Sequence, residues 1–377
     1  MSQKRIPWRW TISVALVISL LCSEHAGAKK PPKPEEPTEG YTIVPFMPAG
    51  SNSTRSVVGD LNEQGEAVGT LEYADGLSAA VHFDILTDHY TPLTGGDYAH
   101  GINNSGQIVG VGGPLGLFWR DRWDEEPITL PPLPGDSLTV GFGINDDGVV
   151  IGSSISEEGD DVGVVWRILV TDGVVNIDGP VELPLLYPET PGLDGFSRPW
   201  EITEVVEGIA LIAGGTGYEA VTWTIAVDTN GGPLAVLSVQ AVEGLGPRWS
   251  QCYGINNSAT VCGLAGGPLP FVDFTGQEPT FLPVPRKTLH GGARDVNDRD
   301  EIVGYAAIDF QHLGFPGKDY AQLWRGGERI DLTGQIPKHS GWARLRSATV
   351  INNSGVIAGY GWFDVATRGF IMIPNAE

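Results

Sequence analysis

The stretch Gly101–Gly110, GINNSGQIVG, recurs along this 377-residue chain. In each copy the apolar residue before the first asparagine stands eight positions before a closing glycine. Constant spacing with constant chemistry indicates a repeat architecture, in which each copy is one structural unit that stacks on its neighbours. The six copies with this spacing are residues 61–69, 102–110, 144–152, 255–263, 296–304 and 351–359.

Each copy predicts a β-hairpin. The turn sequences Asn-Asn-Ser-Gly and Asn-Asp-Asp-Gly consist of residues that accept positive φ or bond their own backbone, so the chain can reverse within a few residues. The flanks, such as residues 107–110, are short and rich in β-branched side chains, as strands are. Because one hairpin alone is marginal in water, the units must pack on one another.

Each unit continues with two further strands. The third carries an aromatic residue and the fourth ends near a Leu-Pro pair or a similar turn, and four strands in about 40 residues match one propeller blade. We count seven aromatic third strands and therefore predict an all-β, seven-bladed propeller, whose least regular unit is residues 201–223. The repeated tryptophans are predicted to pack between blades; they are Trp119, Trp166, Trp223 and Trp324.

The ends of the chain predict a closed ring. The last unit stops after its third strand at residues 370–373, and the first unit is preceded by a surplus strand at about residues 41–46. We expect this N-terminal strand to complete the last blade, which also removes exposed strand edges.

The N-terminus predicts export. Residues 1–28 combine a basic front, an apolar run over residues 11–22 and the small residues Ala26-Gly27-Ala28, as a signal peptide does. Residues 29–40 are proline-rich and predict a disordered linker, followed by a single propeller domain at residues 41–377. We therefore expect a secreted or periplasmic protein that is not held at a membrane after cleavage.

The charge of the chain excludes two classes of partner. The net charge is −23, and removing residues 1–28, with three basic residues and one acidic residue, gives −23 − 3 + 1 = −25. A surface this acidic argues against nucleic acid and against anionic membranes.

Two cysteines remain beyond the predicted signal peptide. Cys252 and Cys262 stand on opposite arms of one repeat hairpin. In an exported protein this arrangement favours a disulfide, although the two positions look diagonal rather than directly opposite. The alternative is a pair of small buried thiols.

The repeat Ile-Asn-Asn-Ser-Gly-Gln-Ile-Val-Gly, followed by a strand with an aromatic residue and tryptophan, resembles the extracellular HAF repeats of exported bacterial proteins. The resemblance extends from about Tyr41 to Pro374 and is weakest in the unit before Trp223. It implies export and a propeller-like body. It implies no catalytic residue, ligand or cofactor.

No catalytic or metal-binding motif stands out in the sequence. Asp60-x-Asn62 and Asp295-x-Asn297 begin like calcium loops, but the later loop positions lack oxygen ligands. The histidines have no metal-ligand spacing, and nucleophile elbows and phosphate-binding loops are absent. The sequence therefore assigns no catalytic residue, metal or cofactor.

Aromatic and basic residues outside the repeat pattern indicate a ligand site. They fall in the segments that lead from one blade into the next, which we predict to gather at one mouth of the central channel, and such side chains commonly anchor ligands. The alternative is that each packs over its own blade or pairs with a nearby acid. The candidates are Arg198, Trp200, Arg248, Trp249, Tyr253, His290, Arg294, Trp342, Arg344 and Arg346.

Three functional hypotheses follow. The first is an exported, non-enzymatic binding or scaffold protein that holds an extracellular carbohydrate or protein at the channel mouth. The second is a polysaccharide hydrolase or lyase that uses the same mouth, although fold alone is a weak argument for it. The third is a structural repeat protein that self-associates. The second hypothesis needs converging catalytic groups, for which the candidates are Asp97, Tyr98, His100, Glu201 and Asp295.

Overall fold

A computed structural model describes residues 40–187, 196–228, 232–245, 249–266, 269–275, 277–308, 318–337 and 340–375. The predicted signal peptide and nearly all of the predicted linker lie outside these ranges. No helix in the described part of the chain is long and apolar enough to cross a membrane.

The chain forms a seven-bladed β-propeller, and each blade is a sheet of four antiparallel strands, as predicted. One short 3-10 helix, Leu332–Gln335, follows blade 6. The strands of each blade are given in order from the channel outward. Blades 1 to 3 are: blade 1, β2 Arg55–Leu61, β3 Glu66–Glu72, β4 Ser78–Asp84 and β5 His89–Pro92; blade 2, β6 Tyr98–Ile102, β7 Ile108–Gly112, β8 Leu115–Trp119 and β9 Ile128–Thr129; and blade 3, β10 Leu138–Ile144, β11 Val149–Ile155, β12 Asp161–Thr171 and β13 Val174–Glu182. Blades 4 to 7 are: blade 4, β14 Ser197–Ile202, β15 Ile209–Thr216, β16 Glu219–Ala226 and β17 Ala235–Ala241; blade 5, β18 Ser250–Ile255, β19 Val261–Ala265, β20 Leu269–Asp273 and β21 Thr280–Phe281; blade 6, β22 His290–Val296, β23 Ile302–Ala307, β24 Asp319–Arg325 and β25 Glu328–Asp331; and blade 7, β26 Trp342–Ile351, β27 Ile357–Phe363, β28 Ala366–Pro374 and β1 Tyr41–Phe46.

The N-terminal strand closes the ring, as predicted. β1 pairs antiparallel with β28, with Tyr41 opposite Pro374 and Phe46 opposite Gly369. Phe46 is fully buried and belongs to the core cluster between blades 7 and 1. The outer edge of blade 7 therefore comes from the opposite end of the described chain.

The repeat asparagine links neighbouring blades. Asn103 is buried, and its Oδ1 accepts the backbone N–H groups of Ser105 and Gln107 at 3.1 and 2.9 Å. Its Nδ2 donates to the carbonyl oxygen of Asn145 in the next blade at 3.0 Å. The asparagine amide has an acceptor oxygen and a separate donor nitrogen, so one side chain bonds its own turn and the next blade, which explains why the repeat uses asparagine. Equivalent links to the next blade come from Asn62, Asn145, Asn256, Asn297 and Asn352.

A second ring of hydrogen bonds joins the same turns. The residue after each asparagine, or after Thr203 in blade 4, accepts the backbone N–H of its counterpart in the preceding blade, over 2.5–2.9 Å. This ring passes through all seven blades. Its members are Glu63, Asn104, Asp146, Glu204, Asn257, Asp298 and Asn353.

Asn103→Ala is expected to destabilise the fold by about 2–3 kcal/mol, because it leaves buried backbone groups of two blades without partners. The control is Ser105→Ala, an exposed change in the same turn that should stay within about 0.5 kcal/mol of the wild type. Urea unfolding measures both. Equal stabilities for the two variants would show that the asparagine is only a turn residue.

The four repeated tryptophans also link blades. All are buried, and each indole Nε1 donates to a backbone carbonyl at the end of the preceding blade over 2.7–2.9 Å. The acceptors are Thr94, Pro131, Pro184 and Pro283, so three of the four lie in the Leu-Pro turns of the sequence. Their position confirms the predicted packing between blades.

Candidate functional site

Each innermost strand carries a β-bulge at the same position, three residues before the repeat asparagine or Thr203. A bulge takes one residue out of the hydrogen-bond ladder and redirects its side chain. All seven bulged residues line one cavity in the central channel. They are Gly59, His100, Phe142, Trp200, Tyr253, Arg294 and Thr349.

The cavity has a volume of about 440 Å³, which lies in the range of small-molecule sites. Its walls come from the inner strands of all seven blades, with Tyr98 and Asp97 from blade 2 and Tyr360 from blade 7. The cavity is therefore a property of the closed ring and exists in no single blade.

Four bulged residues of blades 2 to 5 form a continuous series of rings, which we call the aromatic arc: His100, Phe142, Trp200 and Tyr253. Successive ring centroids lie 6.1, 5.8 and 5.6 Å apart, and the Phe142 and Trp200 rings are stacked with an interplanar angle of 24°. The Trp200 indole N–H has no hydrogen-bond partner among the described residues.

Arg294 continues the series in blade 6. Its guanidinium carbon lies 4.3 Å from the ring centroid of Tyr253 and 5.3 Å from that of Tyr305. Burial raises the pKa values of Tyr253 and Tyr360, so both phenols are neutral at physiological pH. A cation over aromatic faces is stabilised by the ring quadrupole, most strongly where water is excluded.

Three acids, which we call the carboxyl triad, follow the bulge in blades 1, 4 and 6: Asp60, Glu201 and Asp295. The two aspartates bridge blades. Asp60 accepts the N–H of Leu61 at 2.7 Å and that of Ile102 in blade 2 at 2.9 Å. Asp295 accepts the N–H groups of Val296 and, in blade 7, Ile351, each at 2.7 Å. Glu201 accepts the N–H of Ile202 at 3.0 Å.

Burial is the main cause of the raised pKa values of the three carboxyl groups in the triad. It raises the pKa of Asp60 to about 7, with a smaller contribution from Asp295, and the pKa of Asp295 to about 6. Burial, followed by the charges of Asp295 and Asp60, raises the pKa of Glu201 well above its usual value. Carboxyl groups with raised pKa values can donate a hydrogen bond or a proton near neutral pH.

His100 presents its second ring nitrogen as an acceptor. Nδ1 lies 2.8 Å from the carbonyl oxygen of Gly141, and because a carbonyl only accepts, Nδ1 carries the hydrogen. Burial lowers the pKa of His100, so the ring is neutral and Nε2 has a free lone pair.

The cavity contains three of the ten predicted ligand-binding residues: Trp200, Tyr253 and Arg294. It also contains all five residues proposed for the enzymatic hypothesis: Asp97, Tyr98, His100, Glu201 and Asp295. Inner strands supply all of these groups except Asp97, which stands in the connection just before β6, so the groups line the channel cavity itself.

Six other predicted ligand-binding residues lie outside the cavity lining. Arg198 pairs with Asp161 beside Trp200, and Arg346 pairs with Asp319 at 2.6 Å. The remaining ones are Arg344 against the Tyr320 ring, His290 against the Tyr305 ring, the exposed Trp249 and the buried Trp342. Arg248 lies outside the described residues.

Trp342 is a core residue, which corrects its predicted place at the mouth. Its ring lies 4.9 Å from that of Phe363 and 5.9 Å from that of Phe370, within the core cluster between blades 6 and 7. Only 8% of the residue is exposed. It therefore stabilises the blade and presents almost no surface to a ligand.

The predicted disulfide is absent: Cys252 and Cys262 are both free and buried. The bulge at Tyr253 pairs Cys252 with Gly263 and Cys262 with Gly254. Directly paired residues share a face and neighbours alternate, so the two thiols lie on opposite faces of blade 5. Accordingly, Cys252 packs in the core toward blade 4 and Cys262 in the core toward blade 6.

Within the described ranges, no group of three or more His, Cys, Asp and Glu side chains could hold a metal ion. Asp60 and Asp295, which begin the two calcium-like sequences, are instead bonded to backbone N–H groups.

Fold and site together define a closed seven-bladed propeller with an aromatic and carboxyl-lined channel cavity. No protein-family model matches the chain, and no curated protein is similar to it at a significant level. The HAF resemblance therefore stays a prediction.

Three solved structures are similar to this chain at low identity. An oligogalacturonate lyase in complex with manganese is 12% identical over 90% of this chain and 98% of its own, with a TM-score of 0.47. YCF48 bound to D1 peptide is 12% identical over 90% and 96%, with a TM-score of 0.49. The β-propeller domain of the Trilobed protease from Pyrococcus furiosus is 10% identical over 87% and 95%, with a TM-score of 0.49. With TM-scores below 0.5, these similarities carry no argument about the function of this chain.

Proposed function

We propose that this protein is an exported binding protein that holds a saccharide in its central channel. The observation that supports this proposal is the aromatic arc, four adjoining rings presented by four successive blades to one cavity. Sugar rings have apolar C–H faces, which pack against aromatic rings, and a rim of hydroxyl groups that needs hydrogen-bond partners.

The cavity offers those partners beside the arc. Glu201 has one carboxyl oxygen bonded to the backbone, His100 offers Nε2, and the Trp200 N–H has no partner among the described residues. A hydroxyl group both donates and accepts, so it suits this mixed set.

The size of the cavity favours a saccharide over a protein ligand. A stable protein interface buries roughly 800 Å² on each partner and needs an accessible surface. Here the aromatic residues lie inside a channel cavity of about 440 Å³, which a small molecule or the end of a chain can enter. Export of the protein rests on residues 1–28 and stays part of the proposal.

The experiment uses the chain from Lys29 onward, which retains every described residue. Calorimetry against neutral and charged oligosaccharides should find at least one ligand, and Trp200→Ala should weaken its binding by about 10-fold or more. The control is Trp249→Ala, which removes an exposed tryptophan outside the cavity and should leave affinity unchanged. Thermal melting confirms that both variants fold. The proposal fails if no saccharide binds or if both variants bind like the wild type.

A hydrolase or lyase is the second candidate, and Glu201 is the observation that favours it. A largely buried carboxyl group with a raised pKa is the usual form of a general acid, and Asp60 and Asp295 influence its charge. Product analysis in the same samples decides between binding and turnover. Product release that Glu201→Gln abolishes, with binding retained, would establish the enzyme; binding without product would leave the binding function.

A further inference from the structure

The inner strands carry several arginines, and three of them have acid partners. Arg55 pairs with Glu72 at 2.5 Å, Arg198 pairs with Asp161, and Arg346 pairs with Asp319 at 2.6 Å. Arg294 lines the cavity and forms no ion pair with any described residue.

Aromatic rings surround Arg294 instead. Tyr253 and Tyr305 lie under its guanidinium group, and Tyr360 is close enough to interact with its charge. Burying a cation is unfavourable unless a partner replaces the water it loses. Neutral phenol rings replace that water only in part. The guanidinium group therefore faces the cavity as a cation that still lacks an anion.

The nearby acids do not supply that anion. The carboxylate oxygens of Asp60 and Asp295 are bonded to backbone N–H groups of their own and the next blade. The pKa values of both are raised by burial, and no basic group lowers them. Although Arg294 and Asp295 are adjacent in sequence, the Arg294 guanidinium group contacts the rings of Tyr253 and Tyr305, whereas the Asp295 carboxylate accepts backbone N–H groups.

We propose that Arg294 receives the carboxylate of an acidic saccharide, such as a chain that contains uronic acids. This inference rests on the proposed saccharide site and specifies its ligand. The guanidinium fork matches a planar carboxylate through two parallel hydrogen bonds. Arg294 adjoins Tyr253, the last ring of the aromatic arc, so a sugar stacked there has its substituents beside the guanidinium group.

The acidity of the protein is compatible with an anionic ligand in the cavity. Burial raises the pKa of Asp60 to about 7, the pKa of Asp295 to about 6 and the pKa of Glu201 well above its usual value, so in mildly acidic solution the triad carries less than its full negative charge. A protonated carboxyl group repels no anion and is able to donate a hydrogen bond to it. The test is therefore made at about pH 6, where a uronic acid with a pKa near that of a terminal carboxyl group remains ionised.

The test compares ligands that differ only in charge. Trisaccharides of glucuronic acid and of galacturonic acid are measured beside their methyl esters, which keep the ring and linkage but remove the charge. We expect the wild type to bind at least one acid about 30-fold more tightly than its ester. Arg294→Gln should abolish this difference and change affinity for the ester by less than about 3-fold.

Two further variants make the result specific. Arg294→Lys keeps the charge without the fork and should retain part of the preference. Arg198→Gln removes an arginine that already has an acid partner, and should retain the full preference. Thermal melting of each variant checks that it folds; if Arg294→Gln does not, the lysine variant and the ester comparison still decide.

The possible failures are distinguishable. Binding of neutral and acidic sugars with equal affinity would overturn this inference and leave the saccharide site standing. Tighter binding of a matched 6-sulfated trisaccharide, also lost in Arg294→Gln, would overturn the carboxylate assignment. A preference for glucosamine oligomers would assign the cavity to a cation, and no binding at all would refute both proposals.

Discussion

Phe46→Ala is expected to destabilise the whole propeller by about 3–5 kcal/mol, the usual cost of removing a buried phenylalanine. Phe46 is fully buried near the start of the described chain, and its ring meets those of Phe83 and Tyr90 in blade 1 at 6.1 and 5.6 Å. Its strand belongs to blade 7, so the side chain joins the last blade to the first. A change at the N-terminus should therefore weaken the closure of the ring.

The matched control is Phe281→Ala. Phe281 also lies on an outermost strand, in blade 5, but is 48% exposed. Truncating it should cost less than about 1 kcal/mol, since much of its surface already meets water. Urea unfolding followed by tryptophan fluorescence measures both variants. If Phe46→Ala costs no more than the control, the N-terminal strand does not hold the ring closed.

The fold could be predicted because the repeat residues perform the same task in each blade. The asparagine must stand at one fixed position to form hydrogen bonds with both its own turn and the next blade. It therefore recurs at a constant spacing in the sequence. Blade 4 shows how the pattern tolerates a substitution. Thr203 replaces asparagine there, accepts the N–H of Leu211 through its hydroxyl, and still offers its carbonyl to Asn145.

The site was harder to predict because its residues do not repeat. The sequence predicts a site across whole segments between blades, whereas the bulged position of every inner strand lines the channel cavity. Trp342, nine residues before Ile351, therefore looked as suitable as Trp200 but lies in the core. A bulge depends on strand pairing, which spacing alone does not reveal.

A signal for the missed residues was nonetheless present. When the seven copies are aligned on the asparagine or Thr203, the residue three places earlier is always the bulged one, which would have identified Phe142 and Thr349. The residue two places earlier is glycine in three copies and acidic in three, which would have grouped Asp60 with Glu201 and Asp295. The same alignment could not show that the bulge separates Cys252 from Cys262.

Glu201→Gln is expected to stabilise the protein relative to the wild type as pH rises. The pKa of Glu201 is raised in the folded state, so the folded protein retains a proton that the unfolded chain releases above about pH 4.3. Stability from such a group is lost as pH rises, because the unfolded state then binds fewer protons than the folded state. Glutamine removes this titration while keeping nearly the same shape.

The difference in the free energy of unfolding between variant and wild type is expected to be small at pH 4.5 and to grow as pH rises toward 8. Subtracting the free energy of unfolding of the wild type from that of the variant removes the pH dependence of groups that both proteins share. These groups include the histidines with lowered pKa values and Glu204, whose pKa is about 7. Urea unfolding at several pH values measures the difference. The control is Glu157→Gln, which makes the same substitution on an exposed turn away from the cavity.

This result would bear directly on function. Asp60 and Asp295 hold blades together through backbone N–H groups, so their burial has a structural explanation. Glu201 accepts only the N–H of the residue that follows it, and it bridges no blades through the bonds described. A carboxyl group that lowers stability at neutral pH, in a cavity lined by aromatic rings, is better explained by contact with a ligand than by folding. A difference that does not grow with pH would show that Glu201 is solvated and remove that argument.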